Sequence, residues 1–289
     1  MNGRLLPRRL FDFVAGQTVF RLGEETKIMG VLNITPDSFS DGGKFLDPGM
    51  AEWQALQMRQ EGAHILDIGG ESSRPGSKPI SWREELRRIL PVLKRIARKI
   101  EIPISIDTYK YEVAQAALDE GACIINDIYG LRSNKKLAKL IARKKASVVL
   151  MHMQGNPETM QKNPDYKNVL KETKDFLKKS VAVALDSGIE RSRMLVDPGF
   201  GFGKTVTHNF QILSELDQFV SLGYPVLVGL SRKSFLGSFF SLPVGERLYA
   251  SLAAAVYASE HGAHVLRVHE VSAHRHAASV IDRLRNLKK

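Results

Sequence analysis

Along this sequence, acidic, amide and basic side chains stand where short apolar runs end. Asp107, Asn126 and Asp197 close three such runs, in Ile106-Asp107-Thr108, Ile125-Asn126-Asp127 and Val196-Asp197-Pro198. Two carboxylates and an amide offer acceptors and donors suited to the edge of a flat nitrogen heterocycle. Lys233, Arg267 and His269 end the last two runs, within Ser231-Arg232-Lys233-Ser234 and Arg267-Val268-His269. Arginine grips a phosphate bidentately and lysine supplies a point charge, so this group suits a phosphorylated ligand. Each residue also has a plain structural role open to it. Asp and Asn cap helices, and basic residues pair with nearby carboxylates. Asp127 is read as such a cap beside Asn126, and Asp67 as a residue ordering the barrel's upper layer.

What must position these residues is a regular alternation. Runs rich in Ile, Val and Leu span 28–33, 64–69, 104–107, 124–127, 148–152, 194–197, 226–230 and 265–268. Amphipathic segments fall around 50–61, 82–99, 110–120, 135–145, 168–187, 209–222, 245–261 and 272–287. Eight strands alternating with eight helices predict an α/β fold of the (β/α)8 TIM-barrel type, with a doubly wound open sheet as the alternative. In a barrel, the C-terminal strand ends carry the chemistry and the last two βα loops favour phosphate. Asp107, Asn126 and Asp197 then converge on one pocket, which capping gives no reason for. Asn33, ending the first run, becomes a neighbour of the last. The segment Phe11–Glu24, with turns at Gly16-Gln17 and Gly23-Glu24, predicts a short N-terminal accessory hairpin closing the barrel bottom. Residues 1–289 are expected to form a single domain, its core running from about 25 to 287.

The formal charge of +11, from 42 Lys+Arg against 31 Asp+Glu, admits nucleic acid or acidic small molecules as partners. Two clusters carry much of it, Arg83 to Lys99 and Lys135 to Lys145, each on a helix with an apolar stripe. They read as solvated outer faces, and no nucleic-acid motif accompanies them, so no nucleic-acid partner is expected. No stretch is long and apolar enough to span a bilayer, so no membrane partner is expected. The lone Cys123 excludes an intramolecular disulfide and points to a reducing, cytoplasmic setting. Gly201-Phe202-Gly203-Lys204-Thr205 imitates the end of a P-loop, but Pro198 stands where that motif needs glycine. His274 and His276 lack zinc-spaced partners and read as a solvated helix face.

Two long strings are more specific than any single position. Met29-Gly30-Val31-Leu32-Asn33-Ile34-Thr35-Pro36-Asp37-Ser38-Phe39-Ser40-Asp41-Gly42-Gly43 and Asp67-Ile68-Gly69-Gly70-Glu71-Ser72-Ser73-Arg74-Pro75-Gly76 resemble signatures of the dihydropteroate synthase family, a target of sulfonamides. The shorter strings follow in that family's order, over roughly residues 10–287. The resemblance implies a transferase of folate biosynthesis that joins 6-hydroxymethyl-7,8-dihydropterin diphosphate to 4-aminobenzoate. It implies Asp107, Asn126, Asp197 and Lys233 as pterin contacts, and Arg267, His269 and Asn33 as a diphosphate site where Asn33 holds Mg2+. Ser73, Arg74, Thr35, Pro36 and Phe39 would form the aminobenzoate pocket on two loops, and Phe202 is counted among the substrate-binding side chains. Asp107, Lys233 and Arg267 are the expected catalytic residues. A homodimer through the last helices is implied, and the small-residue face of Ala250, Ala253, Ala254 and Ala258 would suit it, although intramolecular core packing explains those alanines equally well. Ser73 stands where many members carry threonine, and Glu270 where aspartate is usual. A pterin-binding methyltransferase and a silent pterin-binding paralogue are the rival readings.

Overall fold

The structure, a computed structural model, describes residues 8–35 and 47–287. Eight parallel strands close into a barrel in chain order: β3 (Lys27–Asn33), β4 (Ile65–Gly69), β5 (Ile104–Asp107), β6 (Ile124–Asp127), β7 (Ser147–Met151), β8 (Met194–Asp197), β9 (Val226–Val228) and β10 (Ala263–Val268), with β10 pairing back onto β3. The closed barrel, not the open sheet, is therefore the fold. Closure explains the continuous apolar runs, because every strand is covered on both faces.

Side chains alternate along each strand, and the two sets have different destinations. Ile28, Leu32, Leu66, Ile68, Ile106, Ile125, Val148, Val196 and Leu266 join the large core between barrel and helices. The other set points inward. At the bottom it is apolar: Met29, Ile65, Ile124, Val149, Leu195, Leu227 and Val265. Two residues further along the same strands it turns polar: Asp67, Asn126, Asp197 and Arg267.

Before the barrel, β1 (Phe11–Ala15) and β2 (Thr18–Leu22) form an antiparallel hairpin around Gly16, whose φ of +60 glycine adopts readily. Its inward side chains Phe13, Ala15, Phe20 and Leu22 pack on the apolar bottom layer, plugging it as expected. Ser147 Oγ donates to the Val14 carbonyl, tying the plug to β7.

The outer helices are α1 (Pro48–Gln60), α2 (Trp82–Ile96), α3 (Tyr111–Asp119), α4 (Lys135–Arg143), α5 (Val169–Asp186), α6 (Val206–Ser214), α7 (Asp217–Val220), α8 (Ser234–Phe240), α9 (Leu248–Glu260) and α10 (Val271–Asn286). Side-chain caps start several of them, including Ser81, Asn134, Asn168 and Thr205. The basic helices behave as solvated faces: Arg87 and Arg88 pair with Glu84, Lys94 with Glu120, and Arg95 and Lys99 with Glu52.

Four expectations need correction. The segment 209–222 is two helices, α6 and α7. The short α8 was not foreseen, since its run Ser234–Phe240 has no amphipathic repeat to detect. His274 is fully buried, with Nδ1 on the Glu270 carbonyl, so it does not belong to a solvated face. The four alanines do not share a face: Ala254 and Ala258 are buried in the core, and Ala253 is exposed.

Candidate active site

Strand register sets the level of the site. Asn33 lies beside Gly69, Gly69 beside Asp107, and Asp107 beside Asn126, so one row crosses four strands near their C-terminal ends. Asp197 pairs with Met151, two residues beyond the Val149 that faces Asn126, and strand tilt keeps it in one inward layer with Asn126 and Asp67. Above this row opens a cavity of about 230 Å³ whose lining includes Asn33, Thr35, Ser73, Arg74, Asp107, Phe202, Lys233, Arg267 and His269. Nine of the residues singled out in the sequence thus share one cavity. Asn126 and Asp197 are buried in the strands beneath. Pro36 and Phe39 lie outside the described residues.

Arg267 is the electrostatic centre. Its Nε donates to Asp67 Oδ2 at 2.6 Å and its Nη2 to Asp107 Oδ2 at 2.8 Å. Burial works against its charge, yet the two carboxylates outweigh that and raise its pKa. This modifies the expected role, because two of its donors are already engaged by protein. The charge it offers a diphosphate is partly neutralised. Asp107 pays for burial the other way: desolvation pushes its carboxyl up to about 7, with Arg267 opposing and Asp67 adding to the rise. Asp197 is raised by burial too, against a 2.7 Å hydrogen bond from the Gly199 N–H.

Asp67 and Asn126 form the floor. Asn126 Nδ2 donates to Asp67 Oδ2 at 3.2 Å, while Asn126 Oδ1 and Asp67 Oδ1 are buried without a partner among the described residues. Buried acceptors left open carry a cost, and a ligand's N–H groups would remove it. Asp127 turns away, accepting the N–H groups of Tyr129 and Leu131 as a turn residue should.

The basic side of the cavity is less charged than composition suggests. Burial draws Lys233 down to about 8, helped by Arg267, and its Nζ sits 4.2 Å from the centre of the Phe202 ring. His269 is pushed down to about 3 by burial and by Arg267, Arg232, Lys233 and Arg74. At neutral pH it is an uncharged imidazole. Its expected contribution to an anion is therefore a hydrogen bond rather than a charge. Its Nδ1 lies 3.0 Å from Ser231 Oγ, which also lies 3.2 Å from Glu270 Oε2.

Several residues here were missed or left open. Glu270 pairs with Arg232, whose φ of +59 is unusual outside glycine. Glutamate thus reaches a partner at the position where its role was in doubt. Glu71 holds the base of the loop bearing Ser73 and Arg74, accepting from Ile80 N at 2.7 Å, Lys110 Nζ at 2.6 Å and Tyr109 OH at 3.0 Å. Arg247, which also lines the cavity, donates to the Leu242 and Arg232 carbonyls at 3.1 Å each. A lysine in a glycine-rich loop, Lys204, was visible in the sequence only as a failed P-loop.

A heterocycle-shaped polar floor beside a cationic wall agrees with what known proteins show. The family model described as "pterin binding enzyme" matches residues 29–269. The chain belongs to the pterin-binding enzyme family. Within that family it groups with the dihydropteroate synthases. It is 43% identical over 270 residues to dihydropteroate synthase of Synechocystis, covering 93% of each chain. Dihydropteroate synthase of Clostridium difficile, solved in the presence of pteroic acid, superposes with a TM-score of 0.86 at 41% identity, over 92% of this chain and 98% of that one. The Xanthomonas albilineans dihydropteroate synthase with 4-aminobenzoic acid gives 0.89 at 39% identity, over 96% and 98%. The chain is accordingly a transferase of folate biosynthesis.

Proposed function

We propose that this single barrel domain condenses 6-hydroxymethyl-7,8-dihydropterin diphosphate with 4-aminobenzoate, releasing diphosphate and 7,8-dihydropteroate. The observation that carries the assignment of roles is the buried polar floor: the open oxygens of Asn126 and Asp67 beside Asp107. The pterin edge donates N–H groups to those oxygens and to Asp197, with Lys233 over the other edge. Arg267 and His269 hold the diphosphate, the first by charge and the second by a hydrogen bond. Asn33 offers one amide oxygen at the same mouth, and no group of three or more His, Cys, Asp or Glu suited to a metal exists among the described residues. Mg2+ commonly takes one or two carboxylates and fills the rest with phosphate and water, so a lone amide oxygen would leave most of its ligands to the diphosphate and water. Asn33 would hold it, and the ion would neutralise charge on the departing diphosphate.

No covalent nucleophile is needed. As the carbon–oxygen bond to diphosphate breaks, positive charge spreads from the methylene into the dihydropterin, and Asp107 stabilises it. The arylamine nitrogen then forms the new bond and releases its proton. Ser73, Arg74, Thr35 and Phe202 wall the position the arylamine takes, with Pro36 and Phe39 assigned there by family resemblance. A homodimer through α9 and α10 is supported by the exposed Tyr249, Val280 and Leu284 on those helices. No helix among the described residues is long and apolar enough to cross a membrane, and the single cysteine supports a cytoplasmic setting.

The test is coupled release of diphosphate from the dihydropterin diphosphate, with and without 4-aminobenzoate. Release that requires both substrates is expected. Release indifferent to 4-aminobenzoate, or none at all, overturns the reading.

A further inference from the structure

Lys204 carries a buried amino group, drawn down to about 7 by burial against the pull of Asp197, that the scheme above does not use. Its side chain is packed inside the protein, the residue being 3% exposed. Nζ lies 2.8 Å from the Gly199 carbonyl, 3.1 Å from the Phe202 carbonyl and 2.9 Å from Nδ1 of His152. Three acceptors match the three donors of an ammonium, so the group is fully engaged and has none left for a substrate. Its direct partners are neutral, because burial and the neighbouring lysine both disfavour the charged form of His152. A buried cation held by neutral acceptors is expensive, and an apolar side chain would fill the space at less cost. What the ammonium supplies is direction for two backbone carbonyls.

Those carbonyls belong to the turn Gly199–Gly203, which runs through left-handed glycines at φ of +72, +79 and +61. A Cβ at Gly199 would lie 1.9 Å from the His152 carbonyl, and one at Gly203 would lie 2.5 Å from that of Gln154. The winding therefore leaves no room for side chains on its inner face. Two of its other carbonyls are gripped as well: Gln161 donates to Gly201 at 2.7 Å and Tyr166 to Gly203 at 2.8 Å. The turn presents two things to the substrate cavity. One is the Phe202 ring. The other is a bed for Lys233, whose stem passes so close to Gly201 that a Cβ there would lie 3.3 Å from Cδ.

We propose that Lys204 is a positioning residue for the synthase reaction: its ammonium fixes the Gly199–Gly203 turn so that Phe202 and Lys233 meet the substrates at a set depth. The proposal rests on the reading of the cavity as the substrate site, and it places Lys204 behind the wall rather than in contact with either substrate. It acts through Phe202 and Lys233 or not at all.

The test is steady-state kinetics on Lys204→Met and Lys204→Gln, with melting curves to establish folding. Removing donors that aim two carbonyls should cost roughly tenfold in KM for 4-aminobenzoate and less for the pterin diphosphate, with kcat held within about threefold. Lys204→Gln keeps a shorter donor and should recover part of the loss. Combined with Phe202→Ala, Lys204→Met should add less than about twofold to the Phe202→Ala effect on KM, because both act on one wall. A folded Lys204→Met enzyme with unchanged KM values overturns the proposal. So does additivity with Phe202→Ala, or a fall in kcat alone that tracks a smaller active fraction. If Lys204→Met does not fold, Tyr166→Phe, which loosens the same turn at Gly203, must show the same KM pattern more weakly, and its absence overturns the proposal equally. Wild-type protein without synthase activity would instead refute the cavity assignment, independently of these variants.

Discussion

The two ends of the barrel are built from the same strands and solve opposite problems. At the bottom, inward side chains from seven strands are apolar and are sealed by Phe13, Phe20 and Leu22 of the hairpin. Most polar groups at that end find partners inside the protein, although Ser105 Oγ and Arg8 Nε have none among the described residues. Arg8 reaches Asp282, Thr26 and the Ala263 carbonyl, and His264 bonds on both sides, accepting from Val226 N and facing the Arg9 carbonyl. Two residues further up, four of these strands carry Asp67, Asn126, Asp197 and Arg267, and here acceptors of Asp67 and Asn126 stay open. The upper layer is left incomplete at two acceptors in contact with the site. The incompleteness marks where a ligand finishes the hydrogen bonding, as expected of functional sites that break local rules.

The largest effect should come from breaking the seal. Phe13→Ala removes a fully buried ring and should cost about 3–5 kcal/mol of unfolding free energy, read from urea denaturation. Michaelis constants of the folded fraction should stay as they are. A clear change in KM for either substrate would show that the two ends are mechanically linked, against the division drawn above.

Asp107→Ala is the converse experiment at the top. It should lower kcat/KM by roughly two to three orders of magnitude while diphosphate still binds, since its charge acts on the developing cation. Melting temperature should move little, because Arg267 keeps its 2.6 Å bond to Asp67 when Asp107 is removed. Loss of diphosphate affinity in proportion to turnover would recast Asp107 as a support for Arg267, its 2.8 Å partner.

The contrast between the ends also explains what could be read from the sequence. The barrel was legible because two-sided burial writes itself as eight apolar runs, and β5, β6 and β8 begin and end where those runs do. The polar residues at the run ends were legible because nothing apolar competes for attention there. Their mutual pairing was not. Whether Arg267 faces phosphate or Asp67 depends on residues 200 positions apart meeting across the barrel, and spacing along the chain is silent on that. Lys204 was hidden for a related reason. In the sequence it is one more lysine after glycines, and only three carbonyl and imidazole contacts reveal its work. His274 looked solvated because its burial comes from packing around α10 and not from its immediate neighbours.

Within the top end, Lys233 and Arg267 should separate. Lys233→Ala should weaken binding of pterin alone by about tenfold, and Arg267→Ala should weaken binding of Mg2+-diphosphate by a similar factor, measured by calorimetry with each fragment. If both variants lose only diphosphate, Lys233 belongs to the phosphate wall, and its contact with the Phe202 ring is packing.

The smallest effect compares two uncharged histidines, one at each end. Burial lowers His264 at the bottom to about 4 and His269 at the top to about 3. In the unfolded chain either imidazole titrates near 6.5, so below that pH the unfolded state takes up a proton that the folded state refuses. Stability contributed this way is complete above about 6.5 and is lost as pH falls toward the folded values. His264→Gln removes one proton from that difference. The acid limb of unfolding free energy against pH should flatten by at most about 1.4 kcal/mol per pH unit between 6.5 and 4. Some stability should be lost at neutral pH as well, since His264 links Val226 N to the Arg9 carbonyl. Affinity for Mg2+-diphosphate should not change. His269→Gln should flatten the same limb and weaken diphosphate as well, because its imidazole faces the cavity. Equal diphosphate affinities in the two variants would show that His269, like His264, is only a structural histidine, and the diphosphate site would then rest on Arg267 and Asn33.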